Sequence, residues 1–520
     1  MPMTRFVSQR KAGGRRGDFH PPLQFDGGSE WFCIMIGAGG VGMSDISVDS
    51  RHAGLVKFDV WCIGLFLIVS FPTATSLVLS GAAVGQDTWM YSGLPTLSRA
   101  VVFVALALLA RKVISVMSCP RLLVVSSVMM TAGALAKAAS FSWLTGDASA
   151  VGSLLSSAAL NAGYAVLYVG WMELYSQMDT KHVLVYFTSV HLVSALVSYA
   201  LFSLGPSFGT VIFIAAMPLV SVIMLRRADA RTSDAPYRQG EIQRTDWSIS
   251  LRPIVLLVAF GFSNAVIRGF LGTEDQATVL LGVCVAALSV LAVAVWRFGE
   301  FEITSLYQVS VPILVAGAML VLMNGEWWGV AAAFCSNAAF ALFSVFITAA
   351  FCGVAYRYGV NAMWLFGITQ ASLTFGSLGG KLVSAWGGSF LFDPSMLVAT
   401  MSVLVVTLVA LSMALVSDRD FKTNWGITSR NEQGGRSVVD EEQRLMLSCS
   451  RIAQRYGLTR REEEVLVLMM RGYTLSRIGE GLFIAESTMK THSRHIYRKV
   501  GVANRNELQE FVDSWRLKRV

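Results

Sequence analysis

Near the C-terminus, Ser487, Lys490, Thr491, Arg494 and Arg498 recur at spacings of one, three and four residues. At about 100° per residue on an α-helix they share one face. That face carries long cationic arms and hydroxyls, groups that pair with phosphates and hydrogen-bond to base edges in a major groove. On the same stretch Met489, Ser493, Ile496 and Val500 fall on a separate narrow stripe, suited to a core. From Glu486 to Lys499 one acid stands against four bases, so the chemistry is recognition of a polyanion. Catalytic chemistry is not expected: no nucleophile triad and no metal cluster can be assembled from the motifs, and no catalytic residue or cofactor is assigned. The seven cysteines (33, 62, 119, 284, 335, 352, 449) are scattered without C-x-x-C or metal-ligand spacing. Gly37-Ala-Gly-Gly-Val-Gly42 lacks the preceding strand and βαβ unit that a nucleotide loop needs.

A reading helix needs other helices to hold it in a groove. Leu458 to Leu466 opens a first helix, with Thr459 and Glu462 spaced as a capping box. Arg471-Gly472 ends it. Thr474 can cap a short second helix that puts Leu475, Ile478 and Leu482 on one face, and Gly479 permits close approach of another helix. The basic third helix spans about Glu486 to Val500 and closes at Gly501. A fourth starts at Asn504, with Glu507 completing another capping box, and presents Leu508, Phe511, Val512 and Trp515. A short helix, a tight turn and a basic helix make a helix-turn-helix. A lead-in helix over Asp440–Tyr456 carries Met446, Cys449, Ile452 and Tyr456 at helical spacing.

Leu458 to Leu508 resembles the DNA-binding domain of LuxR-type regulators, the family that includes the NarL and FixJ response regulators. The matching positions are Leu458-Thr459, Arg461-Glu462, Glu464-Val-Leu466, Gly472, Thr474, Ile478, Leu482, Ile484, Thr488-Met-Lys490, His492, Ile496, Lys499-Val-Gly-Val502 and Arg505, without gaps. The resemblance implies that Lys490, Thr491 and Arg494 face bases, and that Thr474, Ser487, Thr488, His492 and Lys499 hold the phosphate backbone. It implies a homodimer on an inverted-repeat promoter site, joined through Leu508, Phe511, Val512 and Trp515. Leu475, Arg477, Gly479 and Ala485 depart from the family's common Asn, Glu, Ala and Ser. Ala485 removes an expected N-cap of the reading helix, worth about 0.5–2 kcal/mol. The family's usual receiver domain, with its aspartate pocket, has no counterpart here.

The rest of the chain belongs to another solvent. Of 520 residues 54% are hydrophobic, and only 15% are charged against about 25% in a soluble domain. The mean hydropathy is +0.56. Twelve apolar segments of about 18–26 residues, enough to cross a bilayer, begin near Val60, Ala100, Leu122, Ala148, His182, Thr210, Pro253, Ala277, Tyr307, Trp327, Asn361 and Ser395. Alternate loops are basic: the N-terminal stretch, Arg111–Arg121, Lys181, Arg226–Arg252, Arg297 and Arg357. The intervening loops carry almost no Lys or Arg. The positive-inside rule then places both termini in the cytoplasm and the chain in the cytoplasmic membrane as a multi-pass protein. The long basic loop splits the spans six plus six. Asn161-Ala-Gly-Tyr164-Ala-Val-Leu167 of the fourth matches Asn337-Ala-Ala-Phe340-Ala-Leu-Phe343 of the tenth. In helix count and symmetry this resembles the major facilitator superfamily, whose ligand sites lie between halves near the midplane. That superfamily's glycine-and-acid signature after the second helix is missing from Arg111–Arg121.

The expected class is all-α: a twelve-helix bundle followed by a small four-helix LuxR-type domain. The domains are an extension (1–55), a sensor bundle (56–416), a linker with lead-in helix (417–455) and the DNA-binding domain (456–520). Within the extension, Met43 is read as the true start, because Gly39-Gly40 could encode a purine-rich ribosome-binding site. Ionisable residues within spans are ligand candidates. Lys137, Glu173 and His191 are assigned so, with Tyr164, Tyr168 and Trp171, which suits an aromatic or anionic small molecule. Arg99, Arg268 and Lys381 sit nearer span ends, where long cationic side chains reach an interface. The combination reads as a membrane-embedded one-component transcription regulator. A twelve-helix bundle fused to this domain also resembles membrane-embedded LuxR-type regulators of anaerobic actinobacteria. The alternatives are a transporter whose tail regulates its own expression and a membrane scaffold whose tail binds protein.

Overall fold

The computed structural model describes residues 59–79, 88–110, 112, 115–144, 147–232, 247–249, 251–271, 276–296, 304–323, 325–386, 394–416, 427–429, 438–470, 473, 475–482 and 486–517. The chain divides into two units, Met1–Ala53 and Gly54–Val520, and every described residue lies in the second. The Gly37–Gly42 run, Met43, Thr474 and Ala485 lie outside the described residues.

After a 3-10 turn at Val60–Ile63, capped by the Asp59 side chain, twelve apolar helices follow among the described residues. The first six are α1 (Phe66–Leu79), α2 (Thr88–Leu109), α3 (Pro120–Trp143), α4 (Asp147–Tyr175), α5 (Thr180–Leu204) and α6 (Phe208–Thr232). The second six are α7 (Leu251–Leu271), α8 (Gln276–Trp296), α9 (Thr304–Leu320), α10 (Glu326–Tyr358), α11 (Ala362–Trp386) and α12 (Pro394–Val416). The packing repeats with a period of six helices. α3 packs on α4 as α9 does on α10, α1 on α5 as α7 does on α11, and α2 on α11 as α8 does on α5. The last relation joins the halves, so the bundle is two six-helix units about a pseudo-two-fold axis. The matched heptads behave alike: Asn161 Nδ2 donates to Ser157 O at 2.9 Å, and Asn337 Nδ2 donates to Ala333 O at 2.8 Å.

Ten of the twelve helices begin within three residues of the sequence expectation. α1 begins six residues after Val60, which the 3-10 turn takes instead. α2 begins at Thr88 rather than near Ala100. Its first half holds Thr96 and Ser98, followed by Arg99; Thr96 is buried and Ser98 Oγ donates to Ala158 O of α4 at 3.0 Å, so polar positions face other helices and the apolar run starts only at Ala100. Length and hydropathy single out seven of the described helices as able to cross a membrane, with four further shorter apolar ones. α11 falls in neither group. It carries Gln370, Lys381 and several glycines, which a helix facing protein tolerates. Where α7 and α11 cross, the backbones touch. A Cβ at Gly380 would lie 2.5 Å from Phe262 O, and Cβ atoms at Gly261 and Gly376 would run into Leu373 O and Val258 O.

Two short strands join the helical bundle and the C-terminal part. β1 (Trp247–Ile249), in the loop between halves, pairs antiparallel with β2 (Ile427–Ser429), in the linker after α12. The register is Trp247↔Ser429, Ser248↔Thr428 and Ile249↔Ile427. Ile249 packs on the bundle core, while β2 packs on the lead-in helix.

That lead-in is α13 (Val438–Tyr456). α14 (Arg460–Met470), α15 (Leu475–Leu482), α16 (Glu486–Val500) and α17 (Arg505–Leu517) complete the C-terminal domain. Its core joins Leu445, Cys449 and Ile452 of α13 to Val465, Leu466, Met469, Ile478, Met489, Ile496, Val500, Leu508 and Val512. Both capping boxes form. Thr459 N–H donates to Glu462 Oε2 at 2.7 Å, and Glu462 N–H to Thr459 Oγ1 at 3.3 Å. Ala503 N–H donates to Glu507 Oε2 at 2.8 Å, and Glu507 N–H to Asn504 Oδ1 at 3.0 Å. Gly501, at φ +83°, ends α16 in the left-handed conformation that glycine adopts without strain.

Candidate nucleic-acid interface and membrane cavity

The reading helix α16 is held from both sides. Met489, Ser493, Ile496 and Val500 are buried against α13, α14 and α15. Arg461 Nη2 donates to Leu482 O at 2.8 Å, tying α14 to the end of α15. Arg505 Nη2 donates to Met469 O at 2.7 Å, tying α17 to the end of α14. Against this frame Ser487, Thr488, Lys490, Thr491, Arg494 and Arg498 are all exposed, and His492 is half-buried. Three cations and three hydroxyls thus share a solvent face on a helix fixed by its other side. This preorganisation is what groove reading requires.

Two assignments need correction in detail. Lys499 is turned inward. Its Nζ donates to Glu462 Oε2 at 2.6 Å and to Gly457 O at 3.0 Å. Burial pushes the Glu462 carboxyl up, but the hydrogen bonds from Lys499 and Thr459 outweigh it and hold the carboxyl below its ordinary value. On α17, Leu508 and Val512 are fully buried in the domain's own core and offer no surface to a partner. Phe511 and Trp515 are half-buried, their rings 5.7 and 6.4 Å from Tyr456 of α13. The amphipathic pattern of α17 is satisfied inside one domain, and sequence periodicity does not distinguish that from an interface.

Between the two membrane halves lies a cavity of about 730 Å³. Its lining comes from α1, α2, α4 and α5 of the first half and from α7, α8, α10 and α11 of the second. The structure brings Tyr164, Tyr168 and His191 together there. The two tyrosine rings stack with centroids 5.7 Å apart. Gln370 Nε2 donates to Tyr168 OH at 3.2 Å, bridging the halves. Tyr164 and Phe340, equivalent in the repeat, both line the cavity, as do His191 and Gln370. Lys137 lines an adjoining chamber of about 210 Å³ that shares Thr96, Arg99, Tyr164 and Lys381 with the larger one. Glu173 and Trp171 are elsewhere. Glu173 accepts from Ser115 Oγ at 2.7 Å and from the N–H groups of Val116 and Met117 at 2.8 and 2.9 Å. It pins the loop between α2 and α3. Trp171 Nε1 donates to Ser221 Oγ at 2.9 Å in the first half's core.

The sequence reading named the cavity's main charges but placed them at span ends rather than at a ligand. Arg99, Arg268 and Lys381 all line the cavity, and Lys381 Nζ donates to Thr96 Oγ1 at 2.8 Å. Arg99 lies over the Tyr164 ring, 5.2 Å from its centroid. Asn264, which accepts from Ser336 Oγ at 2.8 Å, was not singled out.

Residues 457–512 match the family described as bacterial regulatory proteins, luxR family. Over 50 residues the chain is 48% identical to the HTH-type transcriptional regulator MalT of Yersinia pestis (strain Pestoides F), covering 10% of this chain and 6% of that protein. The chain thus spans only about 6% of the length of the curated relatives it matches. The membrane part is similar in structure to a bacterial homologue of the iron transporter ferroportin in an outward-facing state with soaked iron. There the identity is 11%, the coverage 69% of this chain and 99% of that one, and the TM-score 0.50. A Major Facilitator Superfamily transporter, FucP, in the outward conformation aligns at 10% identity over 69% and 99%, with a TM-score of 0.45. Residues 457–512 are a LuxR-type helix-turn-helix domain, and the preceding helices form a multi-pass bundle with the fold of the bacterial ferroportin homologue.

Proposed function

We propose that this protein is a membrane-embedded one-component transcription regulator. A small molecule enters the cavity between the halves, and α16 reads a promoter. The observation that carries the reading is the exposed Lys490–Thr491–Arg494 face on a helix locked into a LuxR-type domain. Lys490, Thr491 and Arg494 contact bases. Ser487, Thr488, His492, Arg498 and Thr474 hold phosphates. Two copies read an inverted repeat, using parts of the domain other than Leu508 and Val512.

The ligand acts only through its differential affinity for two arrangements of the halves. The β1–β2 ladder supports a route for that change. It ties the loop joining the halves to the linker that leads into α13, so a relative movement of the halves pulls on the DNA-binding domain. The protein lies in the cytoplasmic membrane with both ends inside and catalyses no reaction.

Genome-wide occupancy of the tagged full chain tests this, beside the variant with Lys490→Ala and Arg494→Ala. Sharp peaks lost in the variant, with membrane insertion unchanged, are expected. Regulation retained in the double variant overturns the assigned face. A complete absence of peaks, together with substrate uptake into proteoliposomes, favours a transporter with a regulatory tail.

A further inference from the structure

The cavity's charge states more about its ligand than its size does. Arg99 comes from α2, Arg268 from α7 and Lys381 from α11, so the cations converge from both halves. Lys137 adds a fourth in the adjoining chamber, which Arg99 and Lys381 share. Among the described residues lining either chamber there is no Asp or Glu. Arg99 Nε has no hydrogen-bond partner in the structure, and Arg268 is exposed to the cavity. Charges inside a membrane protein are costly and ordinarily sit beside a counter-charge. Here the protein's described lining supplies none. Beside the cations, Tyr164 and Tyr168 present stacked rings, a surface suited to a flat apolar body.

We infer that the cavity binds an organic anion with at least two separate negative groups on a planar body, held by Arg99 of the first half and by Arg268 and Lys381 of the second. This rests on the cavity being the sensory site. A single carboxylate would leave at least one arginine uncompensated. A cation would meet only like charge. Because Arg268 and Arg99 lie on different halves, a dianion that spans them also favours the arrangement in which the halves are close. Ligand charge thereby selects a conformation.

The test uses the full chain in nanodiscs of phosphatidylcholine, so that no anionic lipid headgroup supplies the counter-charge. The probes are the three benzenedicarboxylates, which differ in carboxylate spacing, with benzoate and benzylamine as controls. The readouts are the unfolding midpoint and calorimetric affinity at constant ionic strength. At least one dicarboxylate is expected to bind tenfold or more tightly than benzoate, with no binding of benzylamine. Arg99→Gln and Arg268→Gln should each weaken it tenfold or more, while Arg268→Lys keeps measurable binding and shows that the fold survives. The proposal is overturned if benzoate binds as well as every dicarboxylate. It is equally overturned if no probe shifts the midpoint beyond sodium chloride, or if the glutamine variants bind like the parent. Promoter occupancy through Lys490 and Arg494 is read separately, so loss of the anion reading leaves the regulator reading standing.

Discussion

Lys499 Nζ lies 2.6 Å from Glu462 Oε2, joining the end of the reading helix to the start of α14. The same carboxylate closes the capping box on Thr459, so one nearly buried acid holds two helices in register. Its folded value is held below the unfolded one. The stabilisation is therefore complete above the ordinary carboxylate range, near pH 4.3, and is lost as pH falls through the lower folded value. Glu462→Gln should destabilise the domain by about 1–2 kcal/mol at neutral pH. The difference from the parent should shrink below about pH 4. Hydrogen exchange over residues 457–517 of the full chain measures this, and an equal difference at both pH values would exclude the carboxylate as its source.

The inward turn of Lys499 separates it from Arg498. Removing one phosphate contact lowers the slope of log affinity against log salt by about 0.9. Arg498→Ala should show that change on duplex DNA. Lys499→Ala should leave the slope close to the parent's and instead lower domain stability. A full phosphate-sized change in the Lys499 variant would mean that the lysine leaves Glu462 when DNA binds.

At the crossing of α7 and α11, Gly376 sits against the backbone of Val258 with no room for a side chain. Gly376→Leu should force the helices apart, because packing there depends on backbone approach. The expected result is poor recovery of folded protein from membranes, or an unfolding midpoint lowered by several degrees, with about 1–3 kcal/mol lost to overpacking. Gly376→Ala should be milder. A leucine variant as stable as the parent would contradict the close crossing.

Thr428→Pro removes a backbone donor from the middle of the β1–β2 ladder, and three-residue strands have little to spare. Cavity binding should be unchanged, whereas promoter occupancy should stop responding to ligand. An unaltered response would show that the signal takes another route.

How far the sequence could be read depended on the solvent around each helix. On α16 water lies on one side and a core on the other, so Lys490 and Arg494 separate visibly from Met489 and Ile496. In the bundle the outside is apolar too. α4 is apolar on nearly every side, and nothing in its pattern tells that Tyr164 and Tyr168 face the cavity while Trp171 and Glu173 do not. Arg99, Arg268 and Lys381 looked like interface-seeking cations because they lie near span ends. Only the packing of α2, α7 and α11 turns them to a common space. Leu508 and Val512 show a related ambiguity, since an apolar stripe looks the same whether a partner or the domain itself covers it. The six-plus-six division was legible because loop charge and the Asn161/Asn337 heptads both record it.

The short ladder also sets a leash. β2 fastens the linker beside the membrane bundle, and the chain from Ser429 to Val438 can extend no more than about 30 Å. On the proposed function, α16 then cannot leave the bilayer to search for an operator, and the DNA has to come to the membrane to be read.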